Sequence, residues 1–228
     1  MTYLEAASNH RKHMETGSAS PDRGFISQLD GHGITPSMRE YFLKCTEFHT
    51  YPAPGMLIGV FMVDYALDLL HKDPRDKIFV VAETEKCLPD PPQVILHATC
   101  GNHRLKILPI GKFALSFTPV STAASAEGVR VYLDLAKLAP YPALRHWYDN
   151  KPPGAAPAPR SSIVDDILAA GRSIFSYEWI RIPVSPKKKW NSVVCTRCGD
   201  QVPDYLIEDG VCAGCGSLRY YETISAGR

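Results

Sequence analysis

The chain has 228 residues, 45% of them hydrophobic and 21% charged, with 25 Lys+Arg against 24 Asp+Glu and a net charge of +1. That length holds one sizeable core plus a small accessory module. The even charge balance excludes a global field that would draw the chain to nucleic acid or an anionic membrane.

Residues 1–30 are polar, Ser/Gly-rich and without period, and read as a mobile segment. "TPSMREYFLKCTEFH" reads as a helix, with Ser37 and Glu40 at the spacing of a capping box. "YPAPG" (51–55) breaks it. A second helix runs from about Gly55 to His71; its apolar run is too short to span a membrane and carries Asp64 and Asp68, so it reads as buried. "KIFVVAET" is a β-branched run, hence a buried strand. "PDPPQVILHA" opens with prolines, which suit a first helical turn, and predicts a short helix from Pro91 to Ala98. "RLKILPI", "KFALSFT" and "GVRVYLDL" alternate as strands, with "PIGK" as a tight turn between the first two. The order predicts an α+β core over 31–148 with a mostly antiparallel sheet. Residues 149–185 hold a Pro/Ala linker, a Ser-capped helix and the strand "EWIRIPV"; 186–228 form a cysteine-rich tail.

The strongest motif is in that tail. Cys195, Cys198, Cys212 and Cys215 are spaced C-x2-C-x13-C-x2-C. Two thiolates two residues apart can grip one metal from a tight turn, and two such knuckles close a tetrahedral S4 site with no open position. Glycine follows each pair (Gly199, Gly216), where positive φ is tolerated and backbone N–H groups can face the sulfurs. The spacing points to structural Zn2+ whose binding supplies folding energy, with rubredoxin-like iron as the alternative. Seven cysteines, four in such pairs, and a polar start without an apolar h-region argue for reduced thiols and a cytoplasmic location. "KKKW" (187–190) raises a nucleic-acid reading, but three lysines in a neutral chain are more often a solvated loop, so nucleic acid is not the expected partner.

A second, weaker cluster is "ETEKCLPDPPQVILHATCGNH" (83–103), with Cys87, Cys100, His97, His103, Glu83, Asp90 and Gln93. Taken with "FHTYPAPGM" and "GKFALSF", it resembles the FmdE-like family, named for a component of formylmethanofuran dehydrogenase. The matching residues are Phe48, His49, Pro54 and Gly55; Glu83, Cys87, Asp90 and Gln93; Thr99 and Gly101; and Gly111, Lys112, Ala114 and Phe117. The resemblance covers about residues 36 to 220. It implies a thioredoxin-like α+β core with a mixed sheet flanked by helices, often dimeric, a site built from His and Cys, and a C-terminal treble-clef zinc finger. It also implies a setting in one-carbon metabolism.

Three family ligand positions are changed: Tyr51 stands for a histidine, and Ala53 and Ala98 for cysteines. Three readings stay open. In the first, His49, Cys87 and a residue of the Cys100/His103 loop bind a second transition metal. In the second, Cys87 is a thiolate nucleophile or ligand for a small cofactor, with Asp90 and Gln93 orienting, Lys112 supplying charge and Tyr51 donating a hydrogen bond or filling space. In the third, the core has lost its chemistry. Glu83 is a solvated strand end or an acid–base group, and Asp90 a helix cap or the partner of an imidazole. The resulting expectation is a metal-binding enzyme or redox-accessory protein of one-carbon metabolism, homodimeric, with a partner protein in a one-carbon or redox complex and no membrane association. The competing class is a dimeric scaffold whose finger contacts protein or nucleic acid. The enzyme reading rests on His49 and Cys87 lining one pocket; without that meeting only the finger remains.

Overall fold

The computed structural model describes residues 23–149, 156–184 and 189–224. They fall into two compact units, one within Ser18–Ser185 and one within Pro186–Arg228. Residues 1–22, residues 150–155 of the linker read at 149–160, and Lys187 and Lys188 lie outside the described residues.

The larger unit opens with α1 (Arg23–Gly31), inside the stretch read as mobile. Phe25 and Leu29 lie one helical turn apart and are 2% and 1% exposed, which anchors this helix to the core. α2 (Pro36–His49) is capped by Thr35, whose hydroxyl accepts from the Met38 N–H at 3.4 Å, and not by the Ser37/Glu40 box. A left-handed Thr50 (φ 75°) ends it, and α3 (Pro54–Leu70) starts four residues later. α3 is apolar almost all round because it is the central helix; Met56, Leu57, Ile58, Val60, Met62 and Val63 have no exposed surface. Its two acids are answered at the edge of the core by Arg172, 2.6 Å from Asp64 and 3.0 Å from Asp68.

The sheet is built from β1 (Ile78–Ala82), β2 (Leu105–Ile107), β3 (Ala114–Pro119), β4 (Ser125–Leu133) and β5 (Phe175–Pro183), in the order β2-β1-β3-β4-β5. β2 runs parallel to β1, and the other neighbours are antiparallel. The 2-1-3-4 part, with strand 3 antiparallel to strand 1, is the thioredoxin-like arrangement, and the crossover from β1 to β2 carries α4 (Asp90–Leu96). The expected tight turn at "PIGK" is overturned. β1 lies between β2 and β3, so those two strands are not a hairpin. A three-residue β2 bonds better to the buried β1 than to a partner reached across a short loop.

Ile78, Val80, Phe117, Val129 and Val131 lie on the fully buried face of the sheet. α5 (Pro142–Tyr148), unforeseen in the sequence, is held by α6 (Arg160–Ala170). An Asp166 carboxylate oxygen accepts from the backbone N–H groups of Ala143 and Leu144 at 2.8 and 3.0 Å, satisfying donors at the α5 N-terminus. α6 begins one residue before the serines expected to cap it, with Pro159 at the N-cap. Among the described residues, no helix is long and apolar enough to cross a membrane.

The smaller unit is two short hairpins, β6 (Ser192–Val194) with β7 (Gln201–Pro203) and β8 (Ile207–Glu208) with β9 (Val211–Cys212). Asp209 and Gly210 (φ 51° and 80°) form the two-residue turn of the second.

Candidate functional site

His49 is the last residue of α2, and the left-handed Thr50 swings the chain so that Tyr51 follows beside it; the two rings are 5.0 Å apart. Cys87 lies in the loop between β1 and α4, and Asp90 begins α4. These segments meet because α3 carries glycine where they cross it. A Cβ on Gly55 would sit 3.2 Å from Cys87 Cβ, and one on Gly59 would sit 2.9 Å from Pro91 Cγ. The first contact is tight and the second cannot exist without a shift. The two glycines, one helical turn apart, seat the stretch from Cys87 to Pro91 against the helix.

The result is a chain of three groups. His49 Nδ1 is 2.5 Å from Asp90 Oδ2, with side chains 17% and 22% exposed. The Cys87 side chain lies near enough to act on the same imidazole. The hydrogen bond with Asp90, then the nearby Cys87 side chain, push the His49 pKa up to about 9 from 6.5, against the opposing pull of burial. A cysteine, a histidine and an acid in this order have the logic of nucleophile, proton carrier and orienting group.

Around the sulfur stand groups that sequence reasoning missed. The Phe113 ring tip and Cys87 both flank Gly55, and Phe113 packs edge-on against Trp147 and Tyr148 of α5. The Arg160 guanidinium lies 5.0 Å from the Tyr51 ring centroid. Burial raises the Tyr51 pKa, and so does the nearby Cys87; Arg160 acts the other way. Phe113 alone had a signal, as neighbour of the matched Lys112. Trp147, Tyr148 and Arg160 arrive through tertiary packing.

Other expected site residues lie elsewhere. Lys112 is exposed, and its backbone N–H donates to the Glu83 carbonyl oxygen at 3.1 Å. The Gln93 amide donates to the Pro89 carbonyl oxygen at 3.1 Å and steadies the turn ahead of α4. Cys100 and His103 are exposed beyond the far end of α4, and His103 lines a separate concavity. Glu83 is neither a solvated strand end nor a partner of His49; it is 8% exposed and takes a two-pronged ion pair from Arg130 at 2.6 and 2.9 Å. Among the described residues, the only group of three or more His, Cys, Asp or Glu side chains with ligand atoms all within 4.8 Å of one another is in the smaller unit, and His49, Cys87 and Asp90 do not form one.

That group is Cys195, Cys198, Cys212 and Cys215, with ligand atoms all within 4.8 Å of one another. Cys198 and Cys212 Sγ are 3.9 Å apart, close to the ~3.8 Å edge of a tetrahedron with the usual metal–sulfur bond of about 2.3 Å. The Cys212 N–H points at Cys195 Sγ from 3.3 Å and brings that thiol down to about 6. The four residues fit a metal ion. The glycines behave differently from expectation. Gly199 takes φ 81°, but Gly216 needs no positive φ, and the N–H groups of both donate to the carbonyl oxygen of the first cysteine of their pair, Cys195 and Cys212, at 3.0 Å. The described residues after Cys215, to Ile224, are turns and extended chain.

Residues 48–180, more than half of the chain, match the family described as "FmdE, Molybdenum formylmethanofuran dehydrogenase operon". The chain belongs to the FmdE family. A protein of Syntrophus aciditrophicus, described as tungsten formylmethanofuran dehydrogenase FmdE-like, superposes with a TM-score of 0.67 and 33% identity, covering 81% of this chain and 95% of that one. A protein of Archaeoglobus fulgidus described as "Probable S-adenosyl-L-methionine-binding protein" is 25% identical over 203 residues. That alignment takes in 81% of this chain and 54% of the relative, so the chain spans about half the length of the curated relative it matches. The FmdE core therefore covers the Cys87 site, and the four-cysteine cluster fits a zinc finger.

Proposed function

We propose that the core is a thiol-dependent group-transfer enzyme of one-carbon metabolism, acting on an activated carbonyl such as a formyl or acyl group, with a structural zinc finger at its C-terminus. The observation that carries this reading is His49 held between Asp90 and Cys87. The Cys87 thiol passes its proton to His49, and the resulting thiolate attacks the carbonyl carbon. His49, protonated up to about pH 9 and backed by Asp90, gives its proton to the leaving group as the carbon–leaving-group bond breaks. Water then attacks the thioester, and its proton returns to His49 as the sulfur departs. Phe113, which flanks Gly55 together with Cys87, packs edge-on against Trp147 and Tyr148 on this side of the site. A Zn2+ bound by the four cysteines would be structural, with no open position for substrate.

The test is site-resolved alkylation by iodoacetamide at neutral pH. Cys100 is an exposed reference thiol, and Cys45 is buried, with its pKa pushed up to about 12 by burial. Cys87 should react faster than Cys100, and Cys45 hardly at all. A Cys87 no faster than Cys100 sinks the proposal. Elemental analysis is expected to find one zinc per chain, unchanged by Cys87→Ala.

The Archaeoglobus relative brings a second ligand to the same site, S-adenosyl-L-methionine. The Trp147 and Tyr148 rings, which pack against Phe113 beside Cys87, are a kind of surface that suits an adenine ring and a sulfonium. Equilibrium dialysis with the labelled compound tests this; binding that Trp147→Ala leaves unchanged removes the reading.

A further inference from the structure

The helix-free face of the sheet holds a concavity of about 640 Å³, within the ~300–1,000 Å³ range of small-molecule sites. It shares no lining residue with the Cys87 site.

The concavity exists because the sheet forks. Paired register between β3 and β4 ends at Phe117 and Val129. Beyond that point β3 stays on β1 as far as Pro119 opposite Ile78, while β4 stays on β5 as far as Ser125 opposite Pro183. The fork is at Gly128, where a Cβ would lie 2.0 Å from the Phe117 carbonyl oxygen and 2.7 Å from Thr118 Cγ2. No other residue allows the two strands this approach, a usual meaning of glycine inside a strand.

The lining divides into two parts. Phe79, Val81, Ala126 and Ile182 are apolar. Lys77, Arg104 and Lys106 bring three cations along the β1–β2 side, with His103 beside them. No carboxylate lines the cavity among the described residues, and none of the three cations forms an ion pair there. Arg104 is instead fixed by its donation to the His97 carbonyl oxygen at 2.5 Å. Three cations converging without a counter-charge beside an apolar floor favour an anion with an apolar body. A second copy laid on this face would bring three more cations and no acid from the same lining.

The geometry points to a binding site for a small amphipathic organic anion, its apolar body on Phe79, Val81, Ala126 and Ile182 and its anionic group against Lys77, Arg104 and Lys106. The test is fluorescence titration of the full-length protein with 8-anilinonaphthalene-1-sulfonate, set beside the uncharged N-phenyl-1-naphthylamine. One saturable site per chain is expected for the sulfonate. Arg104→Gln with Lys106→Gln, both at the surface, should weaken it at least tenfold and leave the uncharged dye alone. Ala126→Trp, which fills the floor, should remove both dyes, and Trp147→Ala should change neither. Equal binding of the sulfonate to wild type and the double variant overturns the proposal. So does loss of binding in Trp147→Ala, which would place the dye at the thiol site. Sedimentation velocity closes the remaining route: a dimer dissociated by Ala126→Trp with dye binding unchanged assigns the face to a second copy and overturns the proposal as well.

Discussion

Cys87 and Cys195 are chemically identical side chains set in opposite surroundings. Cys195 accepts a backbone N–H from Cys212 and has three more sulfurs within reach, all supplied by two short hairpins. Cys87 has one imidazole, and that imidazole has one acid; α2, the β1–α4 loop and α4 must all be in place before the three meet. The first arrangement saturates sulfur with equivalent neighbours and suits a group that holds still. The second leaves sulfur one partner able to carry a proton and suits a group that reacts. Type and number of neighbours separate the two roles, not burial, since Cys195 is the more buried of the pair.

The largest effect that would break this contrast is metal removal. Chelation, or Cys195→Ser, should expose the finger thiols to a thiol reagent, because structural zinc contributes on the order of 10 kcal/mol to such modules. If the number of titratable thiols does not rise, the four cysteines are not a metal site. Next comes the ion pair beneath the β1 end. Arg130→Met leaves the buried Glu83 carboxylate unanswered and should cost about 3–5 kcal/mol in urea denaturation. A loss under about 1 kcal/mol would show that Glu83 reaches water, as the sequence alone suggested. Gly59→Ala should cost about 1–3 kcal/mol, since its new Cβ must displace Pro91. His49→Ala should also slow Cys87 alkylation by roughly tenfold while Cys100 keeps its rate. Parallel slowing of both thiols would make the His49 contact incidental.

The pH profile of stability tests the same pair from the other side. The His49 pKa is raised from 6.5 to about 9 by folding, so the folded state binds this proton more tightly than the unfolded chain. The stabilisation is fully present below pH 6.5, declines as pH rises, and is gone above about 9. Melting temperature should fall across that window, and Asp90→Asn should flatten the fall. An unchanged slope in Asp90→Asn would assign the titration to another group.

The finger was legible because its ligands recur at fixed short spacing, which a local turn requires. β1 was legible as a run rich in β-branched and aromatic residues, and α3 as an apolar stretch bounded by "YPAPG" and a polar turn. The sheet order was not, because a three-residue β2 carries little pattern and its parallel pairing with β1 is a long-range choice. The meeting of His49 with Cys87 could be singled out from the motifs, yet its third member was ambiguous: an acid just ahead of prolines is as good a cap as a partner for imidazole. Glu83 was misread because Arg130 lies 47 residues away on a strand not adjacent to β1. The concave sheet face was invisible from the residues alone, since Gly128 in "AEGVRVYL" looks like any weak point in a strand.

Gly55 and Gly59 carry a consequence for engineering. A glycine inside a helix is ordinarily the first place to seek thermal robustness, because alanine there improves helix propensity by about 1 kcal/mol. On α3 the usual remedy would lift the Cys87–Pro91 stretch from its seat, at contacts of 3.2 and 2.9 Å. Laboratory selection for heat resistance without a functional screen should therefore drift toward alanine at neither position, while combined selection for stability and thiol reactivity should gather its gains on α2, α6 and the outer strands.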